Sequence, residues 1–318
     1  MPDGNGNDME IRQLQALIAV ADTGSVTAAA KVLHIVQPAV TKQIQTLESE
    51  LGVELFSRSR AGMTINPNGQ QVLDRARRVL RELDRARDDV RSGDSSELRG
   101  QVTIGLLPST ALLLAPRLVA AAADRYPGIR LRISVGYAGH LATWLDAGDV
   151  DVALLFEQPS TAMFRIDPIL REELWAVAPS SAHLRSDDPI ALKDVLSQPL
   201  ILPAPPHGLR SIIETVAAET GLTITIPVET NDSAIQRRLV ADGYGWTVLP
   251  PTMVTPETAP HDDISTAPIV GAPLMRTIGT ALARQPDSSR AGAAINALLR
   301  ETVTTAATSG AWPSAHLL

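Results

Sequence analysis

The sequence predicts an α/β protein with an α-rich amino-terminal unit, and three observations predict it. Residues 14–58 hold three short helical periodicities, broken by tight turns and followed by a basic hairpin. Residues 67–90 carry a heptad seam. From residue 101 onward, apolar runs alternate with helical stretches, the pattern of strands joined by crossover helices.

The first helix places Leu14, Leu17, Ile18 and Ala21 on one face. Gly24-Ser25 ends it, and Ser25 suits the N-cap of the next. Val26, Ala29, Ala30 and Leu33 repeat the period, with alanines small enough for close helix crossing. His34-Ile35-Val36 is a turn. The third helix, over about residues 37–51, buries Val40, Ile44, Leu47 and Leu51, and Gly52 stops it. Its opposite face carries Gln37, Thr41 and Gln45, with Pro38 and Lys42 beside them. Amides and hydroxyls on such a rod can read base edges, and lysine suits phosphate or guanine. The duller reading is a solvated helix face.

Phe56-Ser57-Arg58 and Met63-Thr64-Ile65 read as two strands joined through Arg60-Ala61-Gly62, a wing whose Arg58 and Arg60 could reach phosphates. Phe56 reads as core. The expected winged helix-turn-helix therefore spans residues 9–66. Pro67 starts a long linker helix over 67–91. Val72, Ala76, Val79, Leu83, Ala86 and Val90 form its seam, which implies a homodimer; packing against the chain's own later domain is the alternative.

Residues 92–100 are polar and glycine-bearing, and read as a hinge. The strand and helix pattern over 101–303 fits two α/β lobes joined by crossing strands. Lobe 1 is expected at about 101–168 and 268–303, lobe 2 at about 169–267, and residues 304–318 as a frayed tail. Ligands of open α/β sheets sit beyond the carboxyl ends of strands. Ser109, Thr110, His140, Leu202, His207, Gly208 and Asp232 fall at such ends. Backbone N–H groups at the Ser109 helix start favour an anion or carboxylate. Capping or plain structure explains each residue equally well.

Bulk properties narrow the classes. The chain has 318 residues, 44% hydrophobic, enough for more than one core. With no cysteine, disulfides and thiolate chemistry are absent. Aromatics at 3% argue against a stacking platform for single strands. No stretch is long and apolar enough to span a membrane, and the first residues do not resemble a secretory signal, so a cytoplasmic protein is expected. Net charge is −7; residues 1–92 hold twelve basic and twelve acidic residues, so the excess acidity lies in the remainder. There is no GxGxxG after the first strand of the larger region, no P-loop and no GxSxG. His140, His183 and His207 lack metal spacing. No catalytic residue, metal or cofactor is expected.

Residues 19–59, AVADTGSVTAAAKVLHIVQPAVTKQIQTLESELGVELFSRS, resemble the LysR-type transcriptional regulators. The landmarks are Ala28-Ala29-Ala30, Gln37-Pro38-Ala39, Leu47-Glu48, Leu51-Gly52 and Phe56-Ser57-Arg58. Tyr126 to Ile133 (YPGIRLRI), residues 146–154 (DAGDVDVAL) and 240–250 (VADGYGWTVLP) continue the likeness. Pro108-Ser109, Gly139-His140 and Pro206-His207-Gly208-Leu209 are most similar to the branch of nitrogen-assimilation-control regulators.

The resemblance implies a winged helix-turn-helix, a linker-helix dimer interface and a two-lobe periplasmic-binding-protein-like α/β effector domain. It implies a homotetramer on double-stranded promoter DNA and a small-molecule effector, with a carboxylate as candidate and RNA polymerase as a candidate partner. It places Gln37, Thr41, Lys42 and Arg58 near DNA, and Ser109, Thr110, Leu202 and Asp232 near the effector. One departure stands out: the family usually has serine or threonine where this chain has Val36. A missing cap of this kind costs about 0.5–2 kcal/mol. Two other classes stay open: a small-molecule-binding module with a structural helical arm, and an enzyme working between the lobes.

Overall fold

The computed structural model describes the chain except residues 1–8, 60–61, 93–97, 159–160, 256–257, 259–262, 273 and 284–288. It divides into two compact units, Met1–Ser95 and Ser96–Leu318.

In the first unit, helices α1 (Ile11–Thr23), α2 (Val26–Val32) and α3 (Gln37–Leu51) precede strands β1 (Phe56–Ser59) and β2 (Gly62–Ile65) and helix α4 (Pro67–Ser92). The turn between α1 and α2 works as its residues dictate: Gly24 takes the left-handed conformation at φ 65°, and the Ser25 side chain accepts from Ala28 N–H. Leu14, Leu17, Val20, Ala29, Val40, Ile44 and Leu47 meet in one core, closed by Leu55 and Phe56. Leu51 stays exposed, contrary to expectation, because the helix has passed the end of that core. Strands β1 and β2 pair antiparallel, with Phe56 opposite Ile65 and Arg58 opposite Met63. Glu48 of α3 accepts from Leu55 N–H at 2.8 Å, which fixes where the wing begins.

In the second unit the elements run β3 (Gly100–Leu106), α5 (Pro108–Arg125), β4 (Ile129–Val135), α6 (Ala138–Ala147), β5 (Val152–Phe156), β6 (Asp167–Glu173), β7 (Trp175–Pro179), β8 (Ile190–Ala191), α7 (Leu192–Leu196) and β9 (Pro199–Leu202). Then come α8 (Gly208–Thr220), β10 (Thr225–Glu229), α9 (Ser233–Ala241), β11 (Thr247–Leu249), β12 (Ile264–Val270), β13 (Met275–Leu282), α10 (Arg290–Thr308) and β14 (Ala315–Leu317). One sheet has the order β14-β6-β13-β5-β3-β4, another β11-β7-β12-β8, and β9 pairs β10. Strand β3 runs parallel to β4 and β5, while β13 runs antiparallel to β5 and β6. Each lobe has its own apolar core, one around Ile104, Leu118, Leu154 and Leu298, the other around Val177, Leu200, Ile213 and Val248.

The lobe boundaries differ from those read off the sequence. Strand β6 belongs to lobe 1 and β12 to lobe 2. The chain crosses at Leu174 and Leu274, whose backbones bond at 2.8 Å. Crossing strands continue one sheet's alternation into the next, so periodicity alone does not mark the crossing. The frayed tail at 304–318 is also corrected. Helix α10 continues to Thr308, Trp312 is 1% exposed, and β14 pairs with β6. The tail's one tryptophan packs into the lobe 1 core.

Candidate functional site

On α3, Gln37, Pro38, Lys42 and Gln45 are exposed and Thr41 is half-buried, while Val40, Ile44 and Leu47 face inward. Thr41 Oγ1 donates to Gln37 O at 3.2 Å, a local bond that a better acceptor could replace. Val36 is the N-cap, 68% exposed and without a side-chain cap bond, so the sequence reading of a missing cap stands in the geometry. Arg60 lies outside the described residues, as do the side chains of Arg58 and Val90.

The α4 seam is not one continuous free surface. Ala76 is 2% exposed within the first unit's own core, and Val72 packs against that core. Leu73 and Leu80, at three- and four-residue spacing around Ala76, make a second apolar stripe, and Leu73 and Ala76 are buried. The stripe faces an earlier element, since Arg77 of α4 pairs with Asp22 of α1 at 2.5 Å. Val79 is 46% exposed, Leu83 half-buried and Ala86 exposed. The expectation that all six residues form an intermolecular seam is therefore corrected for Ala76 and for most of Val72.

Between the two lobes of the second unit lies a cavity of about 380 Å³. Loops after strands build it: Leu107–Ser109 after β3, Tyr137–His140 after β4, Gln158 after β5, Pro203–His207 after β9 and Asn231 after β10. This is the switch-point geometry of open α/β sheets. Ser109, His140, His207 and Gly208 line it, as read from the sequence.

Three other residues do not line it. Thr110 is fully buried, and its hydroxyl donates to Leu107 O at 3.1 Å. Leu202 lies in the core of lobe 2. Asp232 turns its carboxylate onto the N–H groups of Ala234 and Ile235, at 2.8 and 3.0 Å, and caps α9. Each sits beside a strand end, but Thr110 and Asp232 spend their side chains on their own helix starts and Leu202 on the lobe core.

The sequence reading missed Arg276, at the start of β13. It is 7% exposed and lines the cavity. Its Nε donates to Glu172, which stands opposite it in the β6–β13 register. Its Nη2 donates to Ser109 Oγ at 2.7 Å, and the guanidinium lies 5.1 Å from the Phe156 ring centre. The signal was an arginine in phase with the inward-facing Ile278 and Thr280, one residue before the strand expected at 277.

Gly208 permits a close approach, since a Cβ there would stand 1.7 Å from Gln158 Oε1 and 2.7 Å from the Phe156 ring. His207 caps α8, its Nδ1 accepting from Leu209 N–H at 3.2 Å. Burial, then the charges of Arg276 and His140, push the imidazole down to about 4. Its ring meets Tyr137 edge-on, centres 4.8 Å apart. The Tyr137 hydroxyl donates to Asn231 O and so bridges the lobes; burial, then the nearby Asp232 charge, raises that phenol.

A winged helical unit joined to a two-lobed α/β unit with a cleft defines a DNA-binding regulator with a ligand-binding domain. The family descriptions agree: the LysR substrate binding domain matches residues 95–303, and the bacterial regulatory helix-turn-helix protein, lysR family, matches residues 11–70. The chain belongs to the LysR family of transcriptional regulators. It is 32% identical to the nitrogen assimilation regulatory protein nac of Klebsiella aerogenes over 76% of this chain and 78% of that one. It is 34% identical to the transcriptional regulator TfdS of Cupriavidus pinatubonensis (strain JMP 134) over 76% and 82%. Its fold matches full-length CbnR in complex with its target DNA at TM-score 0.70 and 25% identity, covering 93% of this chain and 99% of that one.

Proposed function

We propose that this regulator reads a specific promoter sequence with α3 and changes state when a small organic acid occupies the cleft. The observation that carries the reading is the division of α3. One flank is consumed by the core, and the other presents Gln37, Pro38, Lys42 and Gln45 to solvent, with Thr41 between. In the proposed complex these side chains approach base edges, and Arg58 and Arg60 of the wing approach flanking phosphates. The likeness to CbnR, a protein crystallised on its target DNA, supports this.

The assembly is proposed to be a homodimer, using Val79, Leu83 and Ala86 of α4, and further a homotetramer. RNA polymerase is the proposed partner of the DNA-bound form. Such a protein would work in the cytoplasm; among the described residues no helix is long and apolar enough to cross a membrane. We place it beside the nitrogen-assimilation branch, which the 32% identity to nac supports. The cleft is proposed to bind its ligand without turning it over. Arg276 and Ser109 support an organic acid as the ligand class. An effector acts only by binding one arrangement better than another.

Fluorescence-anisotropy titration against the DNA upstream of the chain's own gene tests the reading. Salt-sensitive binding that prefers that DNA to a scrambled copy is expected. Equal, weak binding to both would overturn it.

A further inference from the structure

Glu172 sits two residues before the strand crossing at Leu174, and Arg276 two residues after the return at Leu274. The pair therefore stands where the lobes join. Glu172 is fully buried. One of its carboxylate oxygens takes Arg276 Nε and the other takes the indole N–H of Trp312 at 2.9 Å. Trp312 lies beyond residue 303, where the match to the family's ligand-binding domain ends, and is itself 1% exposed. Ser314 then accepts from Trp175 Nε1 at 3.0 Å, and β14 adds to the edge of β6 with Ala315 opposite Glu172. The carboxyl-terminal segment is thus fastened on both sides of the residue that holds Arg276.

Among the described residues that line the cavity, Arg276 is the permanently charged one. Among the described residues its Nη1 has no hydrogen-bond partner, while Nε and Nη2 are taken. We propose that Trp312 is a positioning residue of the cleft: through Glu172 it aims Arg276 to receive a singly charged acid with an apolar body. This rests on the cleft being the ligand site.

Glu172 already balances the arginine, so one incoming carboxylate leaves the site with a single net negative charge. A second carboxylate would find no further permanent cation among the described residues that line the cavity. His207 adds none near neutral pH, since burial holds it uncharged down to about 4. His140, at the exposed rim, is screened by water. Without the indole N–H, one buried carboxylate oxygen loses its donor, and Glu172 is free to turn and carry the guanidinium with it.

Calorimetry on the full chain tests the proposal, with benzoate, benzamide and phthalate as probes and Trp312→Phe and Arg276→Gln as variants. The unaltered protein should prefer benzoate to both other probes, and Arg276→Gln should erase that preference. Trp312→Phe keeps an aromatic ring in the pocket. It should weaken benzoate about tenfold, the scale of one charge-assisted hydrogen bond, with benzamide nearly unchanged. If Arg276→Gln erases the preference and Trp312→Phe leaves benzoate binding intact, or weakens both probes alike, the positioning role is overturned and the acid site stands. If the unaltered chain shows no preference for benzoate, the acid site itself is overturned. Should Trp312→Phe fail to fold, the ¹⁵N indole resonance of Trp312 in the unaltered protein decides. It should move on saturation with benzoate and stay with benzamide; no movement with benzoate overturns the role.

Discussion

Arg276 Nη2 donates to Ser109 Oγ across 2.7 Å, and that bond ties the first residues of β13 to the first turn of α5. Two segments 167 residues apart thereby share one polar corner of the cleft. Ser109 is more than a helix-start residue: its hydroxyl oxygen is occupied by the guanidinium, so its proton can be offered to a ligand.

Gly208→Ala tests how closely the lobes approach at the cleft. The added methyl would collide with Gln158 Oε1 and with the Phe156 ring, at 1.7 and 2.7 Å. Gln158 can swing away; the ring is packed in the lobe 1 core and cannot move as cheaply. A stability loss of about 1–3 kcal/mol by denaturant unfolding is expected, with weaker benzoate binding. An unchanged midpoint and unchanged binding would show that the loop relaxes freely.

Val36→Ser supplies the N-cap that α3 lacks. The serine oxygen can accept from the N–H groups of the first helical turn, and Val36 is exposed, so no core volume is lost. The midpoint of chemical unfolding should rise by an equivalent of about 0.5–2 kcal/mol. No gain would mean that the backbone turn at Val36 already leaves those groups well solvated.

Lys42→Ala tests the phosphate role. Binding to any duplex should weaken, and the slope of log affinity against log salt should fall by about one. An unchanged slope would place Lys42 away from the backbone.

The pH response of stability follows from His207. Its imidazole protonates near 6.5 when unfolded and near 4 when folded. Between those values the unfolded chain binds the extra proton, so stability rises with pH. The contribution is complete above about pH 6.5 and is lost as the pH falls toward 4. The melting temperature should drop across that window, and His207→Gln should flatten the drop. Equal slopes in both proteins would show that His207 is not the titrating group.

The amino-terminal unit was legible because its first three helices each carry one apolar face, and α1 and α3 end at Gly24 and Gly52 in left-handed backbone. The cleft was half legible. Ser109, His140, His207 and Gly208 follow strands in an α/β pattern, and strand ends build the site. Thr110 and Asp232 share that signature, but their side chains satisfy their own helices. Arg276, Glu172 and Trp312 could not be joined from the sequence, because 104 residues separate the first two and 140 part Glu172 from Trp312. The α4 seam misled because Ala76 fits two stripes at once, one for a partner helix and one for the unit's own core.

Base-substitution profiling of the unaltered chain and Gln37→Ala on the upstream DNA tests the central claim most directly. Loss of discrimination at one base-pair position of each half-site, with non-specific affinity retained, is the result expected if the exposed flank of α3 reads sequence. An identical preference profile for the two proteins would contradict it.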